Sequence, residues 1–204
     1  MIYITLTNST IERLVEWCYK SDVIANIRAQ AREEFFGDDE VEASDYLADT
    51  GSFNGRERRF MGWFTFSFKL PDGRHPAELA AQAILKEPKL SLALDAIQKV
   101  RYITGVVTKV MNDRGFYMEL EDEKFTVNSP MLSRILEKGQ LVSAHILPNG
   151  QGRWLVGPGW LTWPFSPGPH LRPRLKTLFQ PNYIEAERFL QGKTKTPEEV
   201  KNVE

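Results

Sequence analysis

Three histidines, a single cysteine and two clusters of basic and aromatic residues are the places to look for chemistry in this sequence. His75, His145 and His170 stand far apart, and none has a second ligand at His-x₃-His spacing. Cys18 has no Cys-x₂-Cys partner. A metal ion needs a converging set of donors, so neither a metal nor a cofactor site is expected. His75 directly precedes Pro76 and reads as a helix cap. His145 lies in the middle of a strand-like run, facing either solvent or a satisfied position in the fold. Cys18 falls within an apolar helical pattern and reads as a buried thiol, the usual state of a free cysteine.

Catalytic signatures are missing from the local sequence. There is no Gly-x-Ser-x-Gly elbow and no Ser-x-x-Lys. Gly150-Gln151-Gly152 lacks the following helix that a phosphate-binding loop requires. Glu119, Glu121, Asp122 and Glu123 form a solvated hairpin run, whereas acid–base work needs carboxylates held in a cleft with displaced pKa values. The reading is therefore a non-catalytic binding or adaptor protein, with an enzyme of unknown reaction ranked third.

Basic and aromatic residues suggest what is bound. Arg56, Arg58 and Arg59 adjoin Phe60 and Trp63. Arg153, Trp154, Trp160, Trp163, Arg172, Arg174 and Lys176 make a second, longer set. Aromatic faces stack bases and cations follow phosphates, so contact with nucleic acid is expected through Arg58, Arg59, Arg153, Trp154, Trp160, Trp163, Arg172, Arg174 and Lys176. The other use of such aromatics is commoner: packing as a clasp over a barrel mouth, where a large ring buries about 150–250 Å². A protein-interaction or homo-oligomeric scaffold is the alternative from another class, with the Pro-rich arm and an acidic segment as its surfaces.

Charge placement bears on the same choice. The formal net charge is only −1. Residues 1–50 nevertheless hold 4 Lys/Arg against 11 Asp/Glu, residues 51–163 hold 15 against 11, and residues 164–195 hold 6 against 2. An acidic and a basic face on one protein fit a polyanion site on the basic side, or two solvated faces that attract each other. The opening run Met1–Thr7 has no basic region or cleavage site and reads as a strand or first turn. No apolar stretch reaches the ~18 residues that span a bilayer. With a single cysteine, a reducing compartment follows, so a cytoplasmic protein without membrane contact is expected.

The elements that must position these residues are legible in part. Ser9 and Glu12 stand three apart, as in a capping box, ahead of Ile11, Leu14, Val15 and Cys18 at helical spacing. Asp22 is placed to cap a second helix that Gly37 ends. Asp38–Asp49 carries six acids and no basic residue and reads as a short exposed acidic helix, followed by a hinge at Gly51–Gly55. Residues 57–70 fit strand alternation (Phe64, Phe66, Phe68) and a helix face alike; helical neighbours tilt the reading to helix. Pro71-Asp72-Gly73 is a turn, Pro76 opens the next helix, and Ser91 caps another running to about Val100.

From Arg101 the texture becomes β. Three strands, a short helix over Pro130–Glu137, then two strands separated by the Pro148–Gly152 turn suit a small barrel of the OB or SH3-like kind. The fold expected is α+β: a helical region over 1–100, a five-stranded barrel module over 101–157, an extended Pro/Trp-rich arm with a short helix over 158–191, and a disordered tail from 192.

Arg59–Pro76, with its aromatic run and Leu-Pro-Asp-Gly turn, and Leu136–Pro148, with its Lys-Gly-x-Leu-Val-x-Ala-x-Ile pattern, together resemble a group of uncharacterised bacterial proteins. Some members of that group carry an added zinc-binding SEC-C segment rich in Cys and His, which this chain lacks. The resemblance spans about 90 residues and implies no catalytic residue.

Overall fold

The computed structural model describes residues 4–36 and 55–162, with Arg56 described by its backbone alone. Gly37, the acidic stretch 38–49, the hinge as far as Asn54, Trp163 and all later residues lie outside the described part.

Among the described residues five helices come first: α1 Asn8–Lys20, α2 Ala25–Phe36, α3 Arg56–Phe66, α4 Pro76–Ile84 and α5 Lys89–Gln98. Thr7, not Ser9, caps α1: its hydroxyl accepts from the Thr10 N–H at 3.3 Å. The helix thus starts one turn-fraction earlier than the Ser9/Glu12 spacing suggests, and Glu12 pairs with Arg58 instead of its own cap. Asp22 opens a 3₁₀ turn, Asp22–Ile24, that leads into α2. Residues 56–66 are helical, so the helix reading of 57–70 holds as far as Phe66, while Ser67 caps the helix and Phe68–Leu70 leave it. Phe60, Met61, Trp63, Phe64 and Phe66 are all buried there. The rings of Phe60, Trp63 and Phe64 join those of Phe35, Phe36 and Phe68 at centroid distances between 4.9 and 6.3 Å. Edge-on and tilted contacts of this kind are the favourable aromatic geometries.

His75 does sit at the N-cap of α4. The Glu78 carboxylate accepts its backbone N–H at 2.9 Å, and Pro76, which has no N–H to leave unpaired, takes the first helical position. Ala77, Ala80 and Ala81 are fully buried; their small size lets neighbouring helices approach. Ser91 is not a cap: α5 starts at Lys89, and the Ser91 hydroxyl donates to Glu87 at 2.8 Å.

The strands are β1 Arg101–Met111, β2 Gly115–Leu120, β3 Glu123–Val127, β4 Leu141–Pro148, β5 Trp154–Val156 and β6 Leu161–Thr162. β1 pairs with β4 along its first half and with β2 along its second, with a register shift between Val107 and Lys109. A bulge there bends the strand and sharpens its twist, so one strand serves two neighbours. β3 runs parallel to β5, and β5 is antiparallel to β4. The circuit β1-β2-β3-β5-β4-β1 closes a five-stranded mixed barrel, the OB member of the two expected kinds. The segment expected as a short helix is a single 3₁₀ turn, Leu132–Arg134, between β3 and β4. β6, at the start of the expected arm, adds to β4 through Val142↔Thr162 and Ser143↔Leu161.

The helical half and the barrel share a seam. β4 is buried on both faces. Val142, Ala144 and Ile146 enter the barrel core with Ile103, Val106 and Phe116, while Leu147 and Leu155 join the helical core. The β4–β5 turn is also held, since the Leu6 N–H donates to the Asn149 carbonyl at 3.2 Å and Leu92 lies against Gly150.

Candidate nucleic-acid interface

The expected contact residues occupy different environments. Arg58, on α3, donates to both carboxylate oxygens of Glu12, at 2.9 and 3.2 Å. Arg59 is half-buried on the same helix. Arg153 is exposed where β5 begins, and its backbone N–H donates to Asn149 Oδ1 at 3.2 Å. Trp154 is half-buried, edge-on to Phe125 with centroids 5.5 Å apart. Trp160 is 7% exposed and packs in the barrel core. Trp163, Arg172, Arg174 and Lys176 lie outside the described residues.

The structure brings Arg58 and Trp160 together. They line a narrow cleft of about 120 Å³ between the helical half and the barrel, with Asn8, Ser129, Met131 and Pro158.

A larger open groove, of about 990 Å³, lies at the far side of the 3₁₀ turn. Its walls are Thr108, Lys109 and Val110 of β1, Asn112 and Asp113 of the β1–β2 turn, and Ser133, Arg134 and Leu136–Lys138. Arg134 Nε donates to Asp113 Oδ1 at 2.6 Å, fixing one wall to the other. Lys109 and Tyr117 are direct cross-strand partners, and the ammonium lies 5.9 Å from the centre of the exposed ring. That distance is within cation–π range. Lys138 is exposed on the opposite wall. The groove therefore presents three cations, Lys109, Arg134 and Lys138, alongside Asp113 and Glu137, and the Tyr117 ring stands beside it, against Lys109.

Sequence reasoning missed these residues because it sought dense Arg/Trp runs. The hairpin symmetry about Asn112–Arg114 was the available signal: in register it sets Lys109 opposite Tyr117 on the outer face.

A second polar arrangement sits in the seam. Ser67 Oγ and His145 Nε2 are 2.6 Å apart, with Tyr102 and Phe66 flanking the imidazole at centroid distances of 5.0 and 6.0 Å. Burial, aided by the nearby His75, pushes the His145 pKa down from 6.5 to about 3. A general base works best with a pKa near the working pH, so this imidazole is unsuited to activate Ser67. It joins two halves of the molecule. His75 is neutralised by similar means: burial and the Lys69 charge lower its pKa. Its Nδ1–H donates to the Phe68 carbonyl at 3.0 Å, and its Nε2 accepts from Lys69 at 2.8 Å.

Among the described residues, no group of three or more His, Cys, Asp or Glu is arranged to hold a metal ion, and no helix is long and apolar enough to cross a membrane. Comparison with family models, with curated proteins and with solved structures finds no match for this chain.

Proposed function

We propose that this chain is a non-catalytic binding protein whose barrel holds single-stranded nucleic acid in the groove between β1 and the 3₁₀ turn. The observation that supports this reading is the trio of cations Lys109, Arg134 and Lys138 along the groove, with the exposed Tyr117 ring next to it against Lys109. A base stacks on an aromatic ring whatever its identity, and cations track the phosphates. The OB topology supports the reading by analogy only, since a fold hosts many functions. The helical half occupies the β4–β5 turn through Leu6 and Leu92, which leaves the β1–β2 side of the barrel for a ligand. Arg172, Arg174 and Lys176, outside the described residues, stay in the proposed contact set on their sequence alone. The setting we infer is the cytoplasm of a bacterium, from the single cysteine and the resemblance of residues 59–76 and 136–148 to bacterial proteins.

The test is fluorescence anisotropy with labelled single-stranded DNA, single-stranded RNA and duplex DNA at low and moderate salt. Micromolar or tighter binding to single strands that weakens steeply with salt is expected. No binding at low salt would overturn the reading.

A second reading, a protein-interaction or homo-oligomeric scaffold, is favoured by Met131 and Ile135, which are 38% and 54% exposed on one short connection. It predicts association that is insensitive to salt and lost in Ile135→Ser, read by sedimentation.

A further inference from the structure

One short connection, residues 129–138, lines both concavities: Ser133, Arg134 and Leu136–Lys138 face the groove, while Ser129, Met131 and Leu132 face the cleft. The cleft volume matches about four waters at ~30 Å³ each, close to one flat ring of nucleobase size. Its walls combine an apolar side, Met131, Leu132, Val156 and Trp160, with a polar side, Asn8, Glu12 and Arg58. The amide of Asn8 is oriented by its Nδ2, which donates to the Asn128 carbonyl at 3.4 Å. This leaves Asn8 Oδ1 buried with no hydrogen-bond partner among the described residues. A buried acceptor in that state calls for a donor. Beside it, the Arg58–Glu12 pair presents guanidinium donors and carboxylate acceptors.

We propose that this cleft receives one unstacked base of the strand that lies in the groove, passing over Met131. The inference rests on the groove reading above and adds a site to it. The Watson–Crick edge of an unpaired base sets donors beside acceptors, the edge that proteins read in single strands. An N–H on that edge satisfies Asn8 Oδ1, an acceptor atom takes a guanidinium N–H of Arg58, and the ring lies against Met131 and Trp160.

The experiment uses the full chain and a single-stranded RNA of about a dozen nucleotides, with its DNA counterpart, in which each position in turn is made abasic. One position is expected to stand out, its abasic form binding about tenfold more weakly, the size of one base–protein contact. Asn8→Ala and Arg58→Gln should abolish that position's effect while Lys109→Ala leaves it in place and weakens every oligonucleotide alike. Thermal melts of each variant separate loss of the contact from loss of fold. Binding that tolerates an abasic site at every position would overturn the cleft proposal and leave the groove reading standing. Absence of binding to any oligonucleotide would overturn both.

Discussion

Ser67 Oγ and His145 Nε2 meet at 2.6 Å across the seam between the residue that follows α3 and the middle of β4. They are 78 positions apart in the chain. The contact joins the helical half to the barrel at a point where β4 has no solvent on either face. Removing the hydroxyl leaves a buried imidazole nitrogen without its partner, which typically costs about 1–3 kcal/mol. Ser67→Ala should lower stability within that range, read as a shift in the urea midpoint at unchanged m-value.

The same histidine predicts a pH dependence. Unfolded, His145 takes up a proton below its ordinary value of 6.5; folded, it does so only near pH 3. Between those values the unfolded state binds more protons, so stability falls as pH drops, by up to about 1.4 kcal/mol per pH unit from this one group. Above pH 6.5 both states are neutral and the effect is gone. His75, also lowered by burial, adds a loss of the same sign. Comparing His145→Gln with the unaltered protein between pH 7.5 and 4.5 isolates the His145 share, and parallel stability curves would show that it does not titrate as described.

Gly62 is a test of close approach between α3 and the segment after β5. A Cβ placed on it would stand 2.3 Å from the Pro158 carbonyl oxygen. Alanine gains about 1 kcal/mol in helix propensity over glycine, but the clash is with backbone that must move, and overpacking costs about 1–3 kcal/mol or more. The clash wins. Gly62→Ala should lower the melting temperature, and a rise would mean that Pro158 yields easily.

Groove charge should set salt sensitivity. Replacing Lys109 and Lys138 together by alanine is expected to weaken single-strand binding and to flatten the log K against log salt slope by roughly 0.7 per lost phosphate contact. An unchanged slope would remove these two residues from the interface.

Cys18 should be inert. It is fully buried, and burial pushes its thiol up to about 12, only partly offset by the neighbouring Thr65 hydroxyl and the Arg28 charge. Since the thiolate is the nucleophile, a thiol reagent should fail to label native protein at pH 8 and label it fully in denaturant.

Much of the architecture was present in local pattern. Ile11, Leu14, Val15 and Cys18 recur at helical spacing and are buried together on α1. The His75-Pro76 step marks the start of α4. The turns at 112–114 and 148–152 separate strands where β-branched residues change direction, and with the short helix expected over Pro130–Glu137 they imply a five-stranded barrel. These features are legible because a helix cap, a turn and a periodic apolar face each depend on residues within a few positions of one another.

Long-range competition decided the rest. Ser9 and Glu12 have capping-box spacing, yet Thr7 takes the cap and Glu12 is drawn to Arg58, 46 residues on. Residues 57–70 satisfy strand and helix periods equally, and only packing against Phe35 and Phe36 selects the helix. Trp160 and Arg58 looked like members of two separate basic-aromatic runs; closure of the barrel against α1 and α3 puts one in the barrel core and both on the same cleft. Lys109 and Tyr117 attracted no notice as single residues, because their pairing depends on the strand register. The sequence by itself determined most of the element types, the α-then-β order and the turns. The tertiary structure alone decided which charges were already paired, which aromatics were buried and which remained exposed, because each of those states depends on contacts between residues far apart in the chain.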